Sequence, residues 1–420
     1  MDAPAPDGPL RAIPDGFVLV EDGIVKGAGP WNERPAGIAV HDHDGGFILP
    51  GFVDTHVHLP QLAVIGAIGK SLLDWLDGDA LPEELGWSDE EHARNGSREF
   101  LGRLLRNGTT SCLAFGAHFR SAMDVFFGEA EKSGLRVTSG LVLGDTNLPD
   151  GLLTTPDRAI RESEELIGRW HGRGRLRYAV TPRFTVSATA GLLAACGEML
   201  ARHPDVLFTT HLNEMPAEIE AVKAANPGAR DYLDTYERHG LVTDRSLFAH
   251  DVHPSDSELA RLAAAAAAVC HCPSSNMFLG SGLFPFRRHL EHGVQVALGS
   301  DVGAGTSYSL LGEALQAHMH QMLRSDGLPL GPAQLLHLAT RAGALALGLP
   351  EVGTFEDGMQ FDAVVLKARP GSTLAARLAR SRGPEDCLAT LITLAREDAV
   401  DEVLVGGEAL LVAGQPLPRG

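Results

Sequence analysis

Eight short runs rich in apolar and β-branched residues recur between Phe47 and Asp301, each separated from the next by a stretch long enough to hold a helix. They are FILPGFVDTH (47–56), TTSCLAF (109–115), RVTSGLVL (136–143), RYAVTPRF (177–184), LFTTHLN (207–213), SLFAHDV (246–252), AAVCHCP (267–273) and QVALGSD (295–301). Parallel strands need crossover connections, usually helical, so this alternation predicts an α/β fold with a parallel sheet. Eight such units close into a (β/α)8, TIM-like barrel, which we place at 47–355. The stretches between the runs fit amphipathic helices; in SDSELARLAAAAA, Ser255 or Ser257 is placed to cap the start. The ends read differently. GFVLVEDGIVKG (16–27) is two short strands about an Asp-Gly turn, and DAVVLKA (362–368) and VDEVLVGGEALLVAG (400–414) repeat that style. Segments 1–46 and 356–420 are therefore expected to form one small β-sandwich domain beside the barrel.

Charge narrows the function classes. Thirty-five Lys and Arg against 54 Asp and Glu leave a formal charge of −19, which repels polyanions and disfavours a nucleic-acid polymer as partner. No apolar run approaches the roughly 18 residues of a membrane span, and residues 1–10 lack a secretory pattern, so the expected compartment is the cytoplasm. Five scattered cysteines agree with a reducing environment. Cys270 and Cys272 read as strand residues, because a cysteine metal site needs a second ligand pair that is absent.

Chemistry-bearing residues cluster at the ends of the runs. His56 and His58 are two apart, so a strand presents both on one face, where they can share a metal ion. His211, His250 and Asp301 end the fifth, sixth and eighth runs, at the rim where barrel enzymes carry their chemistry. Imidazoles with a carboxylate suit zinc, and iron or manganese would accept the same donors. Glu214 follows His211 by three residues. Alone it would read as a helix-start carboxylate, but beside a metal site it is placed to move protons to and from water.

PGFVDTHVHLPQ (50–61), TPRF (181–184), THLNE (210–214), AHDVHPS (249–255), HCPSSNMFLGSGLFP (271–285) and LGSDVGAGTSYSL (298–310) resemble, in order and spacing, the motifs of the amidohydrolase superfamily and, within it, of the guanine deaminase family. The likeness is dense over 50–340. It implies one zinc ion per chain, with Fe2+ as the alternative, ligated by His56, His58, His211 and Asp301. Glu214 is implied as proton shuttle, His250 and Asp301 as its catalytic partners, and Gln61, Arg183 and Phe184 as substrate-binding residues. Strand alternation sends Phe184 away from the face of Arg183 unless the strand has already ended. Superfamily members with two metals bridge them by a modified strand lysine; Lys70 and Lys132 lie outside the runs, which favours one metal. The implied reaction is deamination of guanine to xanthine and ammonia. Other amino-heterocycles, a pterin or 8-oxoguanine, are the alternative, with cyclic amide hydrolysis behind them. The expected partners are a small purine and a second copy of the chain. Two departures from the family pattern stand out: Gly78–Ala80 where a bulky aromatic pair is usual, and Asn213 where a serine is common.

Overall fold

The computed structural model describes residues 1–417. Eight strands form the barrel wall: β1 (Phe52–His58), β2 (Thr109–Phe115), β3 (Arg136–Gly140), β4 (Leu176–Pro182), β5 (Leu207–Leu212), β6 (Ser246–His250), β7 (Ala268–His271) and β8 (Gln295–Leu298). Each pairs in parallel with its neighbour in sequence order. The third run breaks after Gly140, and Val142–Leu143 continues it as a separate short strand on β4. The ring closes between β8 and β1 through hydrogen bonds outside the regular ladders. Asp301 N donates to His56 O, His58 N donates to Val302 O, each at 2.8 Å, and Thr55 Oγ1 reaches Leu298 O. Gly299 permits this approach, because a Cβ there would sit 2.5 Å from Cys270 Sγ and 2.8 Å from His56 N.

The inside of the barrel below the mouth is apolar. Val53, Leu113, Ala179, Leu207, Leu247, Ala268 and Cys270 form a buried cluster that Ala344, Leu347, Leu349 and Val352 complete. The outer faces of the strands pack on the helical shell in a much larger core. Within that shell Ser255, rather than Ser257, caps helix Asp256–Ala264: Ser255 Oγ accepts from Glu258 N, and Glu258 Oε2 accepts from Ser255 N at 2.9 Å. No helix among the described residues is long and apolar enough to cross a membrane.

The small domain takes shape as two sheets. Strands Gly16–Glu21 and Ile24–Pro30 form a ribbon whose turn residues Asp22 and Gly23 both have positive φ, as a two-residue hairpin turn requires. Val18, Val20 and Val25 of that ribbon share an apolar core with Ile48, Val365 and Leu404 of a five-stranded antiparallel sheet.

Two boundaries shift. Phe47–Pro50, read as the start of the barrel, instead pairs antiparallel with Ala363–Leu366 in the small sheet, so the barrel begins at Phe52. The break falls at Gly51, where any Cβ would lie 2.2 Å from the Thr110 side chain. The segment 356–420 is also not wholly β. Helices Thr373–Leu378 and Pro384–Leu394 intervene between its strands and bury Leu374, Leu388, Leu391 and Ile392 in the large core. Their apolar spacing is helical, and the barrel shell offers the surface that buries it.

Arg136, at the start of β3, ties the two domains together. Its Nε donates to Asp362 Oδ2 at 2.6 Å, and Nη2 donates to Asp362 Oδ1 and Gln360 Oε1. Both partners of the ion pair are buried. Removing one partner of such a pair strands the other, so Arg136→Ala is expected to destabilise the fold by about 3 kcal/mol, read as a lowered midpoint in urea unfolding.

Candidate metal centre and active site

Two backbone departures aim the imidazoles into the barrel mouth. In β1, Asp54 pairs with Cys112 but Val57 pairs with Ala114, so β1 carries one extra residue at this point. That bulge reverses the facing. Val53 points into the barrel, Val57 then points outward, and His56 and His58 face the interior. At the end of β6, His250 has φ 74°, a left-handed conformation that turns its ring inward, and Asp301 beyond β8 has φ 49°. Non-glycine residues reach this region only where surrounding structure holds them.

His56, His58, His211, His250 and Asp301 meet there. Asp301 Oδ1 lies 3.2 Å from His56 Nε2 and 3.1 Å from His58 Nε2, and Asp301 Oδ2 lies 3.8 Å from His250 Nε2. The rings of His56 and His211 have centroids 5.0 Å apart, and Phe115 packs against His56, His58 and His211. His211 Nδ1 donates to Arg183 O at 2.6 Å, which fixes its tautomer and leaves Nε2 as the lone-pair nitrogen.

These donors fit a cation. His56 is fully buried, yet neither of its ring nitrogens has a hydrogen-bond partner. Burial pulls its pKa down to about 4 and holds His211 well below the usual histidine range, so both rings are neutral, the ligating form. Burial alone would raise Asp301, but the imidazoles of His56 and His58 offset this and hold it well below the usual carboxylate range. Neutral imidazoles around an ionised, buried carboxylate leave a negative charge that a divalent ion would balance. Cys272 also approaches His250 and Asp301, but burial pushes its thiol up, which disfavours the ligating thiolate. Lys70 and Lys132 lie elsewhere, paired with Asp79 and Glu129.

Glu214 stands beside this group. It is buried, Ser281 Oγ donates to its Oε1 at 3.1 Å, and its Oε2 is 3.6 Å from His250 Nε2. Burial, reinforced by Asp301, pushes its carboxyl up to about 8. The helix-start duty falls to Glu218, whose Oε2 accepts from the backbone N–H of Glu214 and Met215.

Across the mouth, Glu84 organises the other wall. Its Oε2 accepts from Arg183 Nη1 at 2.6 Å and faces His118 Nε2 at 3.1 Å, while its Oε1 accepts from Gln61 Nε2 at 2.8 Å. Burial would raise the Glu84 carboxyl, but the Arg183 guanidinium and His118 hold it far below the usual range. Gln61 Oε1 in turn accepts from Gly303 N at 3.2 Å, so the amide is locked in one orientation with one N–H and one lone pair to spare. Between the two walls lies a pocket, partly open to solvent, lined by His58, Gln61, Arg183, Phe184, His211, Glu214, His250 and Asp301. Leu72, Trp75, Leu76, Leu279 and Ala304 add apolar surface.

All nine expected site residues therefore converge, with His56 buried beside the pocket rather than lining it. Phe184 lines the pocket together with Arg183 because β4 has already ended at Pro182, so the alternation that would separate them no longer applies. Asn213 does not line the pocket. With φ 48°, it donates to Asp251 Oδ1 and Glu258 Oε1 and braces the loops beyond β5 and β6. Trp75 supplies aromatic surface from the turn before Gly78–Ala80. Sequence reasoning missed Glu84, His118 and Ser281. Glu84 meets Arg183 across 99 residues, and nothing in LPEE sets one carboxylate apart from the next.

The sequence pattern of the amidohydrolase family matches residues 47–410. The chain is 54% identical over 408 residues to a probable guanine deaminase of Deinococcus radiodurans, covering 95% of this chain and 93% of that protein. It is 38% identical to the guanine deaminase of Escherichia coli K12, covering 95% and 91%. Among solved structures, guanine deaminase from C. acetobutylicum with guanine bound in its active site superposes with a TM-score of 0.91 at 26% identity, covering 97% of each chain.

The Glu84 clamp has a measurable signature. Glu84→Ala strands a buried guanidinium and is expected to lower stability by about 3 kcal/mol, and adding Arg183→Met should recover part of that loss. Additive losses in the double variant would show that the two side chains are not coupled.

Proposed function

The chain belongs to the amidohydrolase family, and on that footing we propose that it hydrolyses guanine to xanthine and ammonia with one zinc ion held by His56, His58, His211 and Asp301. The observation that carries this reading is the meeting of two sets of side chains across one pocket. Metal-type donors with Glu214 form one wall, and Arg183 and Gln61, clamped by Glu84, form the other.

When bound, zinc supplies Lewis acidity, which makes water a usable nucleophile near neutral pH. Glu214 takes one proton from the attacking water and passes it to a ring nitrogen, then takes the remaining proton of the added hydroxyl and delivers it to the departing amine, so that the hydroxyl becomes the oxo group. Burial raises the Glu214 carboxyl and a cation held by the neighbouring donors would lower it again, which suits a group that must both accept and return a proton. His250, with Nδ1 directed at Asn276 Oδ1, presents Nε2 toward Glu214 and Asp301 and holds the water between them. Water adds to the ring carbon that bears the amino group, the exocyclic C–N bond breaks, and ammonia leaves an oxo group behind. Arg183 spends one donor on Glu84 and offers the rest of its fork to a ring carbonyl, while Gln61 presents its remaining N–H and lone pair to the ring edge. Phe184 covers the base from the same wall.

Ammonia release measured over guanine, adenine, pterin and 8-oxoguanine tests the assignment. Guanine should be the preferred substrate, and adenine, which lacks the carbonyl, should fall behind by up to about 10^4 in kcat/KM, because it leaves the Arg183 donors unmet. Arg183→Ala should lose most of its guanine activity while keeping its metal. Efficient adenine turnover, or unchanged guanine kinetics in that variant, would overturn the binding mode.

Glu214→Gln keeps the shape of the side chain and removes its proton transfer. Turnover is expected to fall by about 10^2 or more, with metal content by elemental analysis unchanged.

A further inference from the structure

Just ahead of the barrel, the approach to strand Phe47–Pro50 reads His-Asp-His-Asp at 41–44. The rings of His41 and His43 stack with centroids 4.5 Å apart. Both direct a nitrogen at one oxygen: His41 Nε2 is 3.5 Å and His43 Nδ1 is 3.2 Å from Glu402 Oε2. Glu402 sits on strand Val400–Val405 of the five-stranded sheet and is only 3% exposed. Its other oxygen, Oε1, is buried without any hydrogen-bond partner. A buried carboxylate left in this state lacks the compensation such groups normally find.

We propose that His41, His43 and Glu402 form a second metal site, selective for a divalent transition ion such as Zn2+, Ni2+ or Cu2+, which clamps the 41–44 loop to the small sheet. The three ligand atoms already lie within 4.8 Å of one another. Two imidazoles and one carboxylate are the donor set of a borderline transition ion rather than of Mg2+ or Ca2+, which take oxygen ligands. The neighbouring cation, Lys367, is engaged by Asp401 at 3.0 Å, which lessens its opposition to an incoming ion. His41 is largely exposed, so the site opens to solvent and is filled without unfolding. The ion would bridge loop and strand, whereas the barrel ligands come from strand ends at the mouth, and no residue is shared between the two sets.

The test compares purified wild type, carrying its barrel-site metal, with His41→Ala/His43→Ala. Equilibrium dialysis against Zn2+ should give the wild type one equivalent more than the double variant. Metal bound in the barrel is common to both and cancels, so the outcome does not depend on the assigned reaction. Cu2+ added to the wild type should show an electron paramagnetic resonance signal with two coordinated nitrogens, which His41→Ala reduces to one. Zn2+ should also raise the Tm of the wild type above that of the variant. Ammonia release by the variant should be unchanged, which confirms that it folds. Equal metal content in the two proteins, or a copper signal without paired imidazoles, would overturn the site.

Discussion

A carboxylate shut away from water is tolerated only where something meets its charge, and the barrel mouth holds several. Each has a different partner, and that difference sorts their roles. Asp301 is met by imidazoles and stays ionised. Glu84 is met by Arg183 and His118 and stays ionised as well. Glu214 has only the Ser281 hydroxyl for a donor and the Asp301 charge nearby, so it rises. Two carboxylates sharing one pocket are thus pushed in opposite directions, as the proposed division between cation ligand and proton carrier requires. Behind them the pattern continues. Tyr232 donates to Glu218 Oε1 at 2.6 Å, and Ser300 donates to both oxygens of Asp54, while burial still lifts Glu218 and Asp54 to about 7. The polar mouth rests on an apolar floor.

What was legible in the sequence followed from local periodicity. Eight strand runs, the paired histidines of β1 and the polar residues at or just beyond the ends of β5, β6 and β8 can be read because strand ends at a barrel mouth are few and chemically distinct. The ribbon turn at Asp22 and Gly23 was legible for a similar reason, since few residues accept positive φ. What stayed hidden depended on geometry without a local signature. The β1 bulge that turns His56 and His58 inward is one extra residue in a run of otherwise ordinary composition. The transfer of Phe47–Pro50 to the other sheet depends on pairing with Ala363–Leu366, more than three hundred residues away, and Gly51 passes Thr110 too closely to carry a Cβ. Glu84 gains its meaning only when the turn that carries it folds over Arg183.

The seam between β8 and β1 has a consequence for the order in which the molecule comes into being. Asp54 and Ser300, which hydrogen-bond across it, are 246 residues apart, and the Asp301 amide bonds to the carbonyl of His56. On the ribosome, the two histidines of β1 emerge long before the aspartate that faces them. Until β8 docks, the growing chain presents imidazoles from β1, β5 and β6 without the carboxylate that gathers them. On the proposed ligand set, a nascent barrel would be an incomplete chelator, and firm capture of an ion would wait for closure. With the proposed ligand set, ion binding would be coupled to completion of the ring, so the ion would act as a latch on a barrel whose first and last strands are joined across the longest stretch of chain.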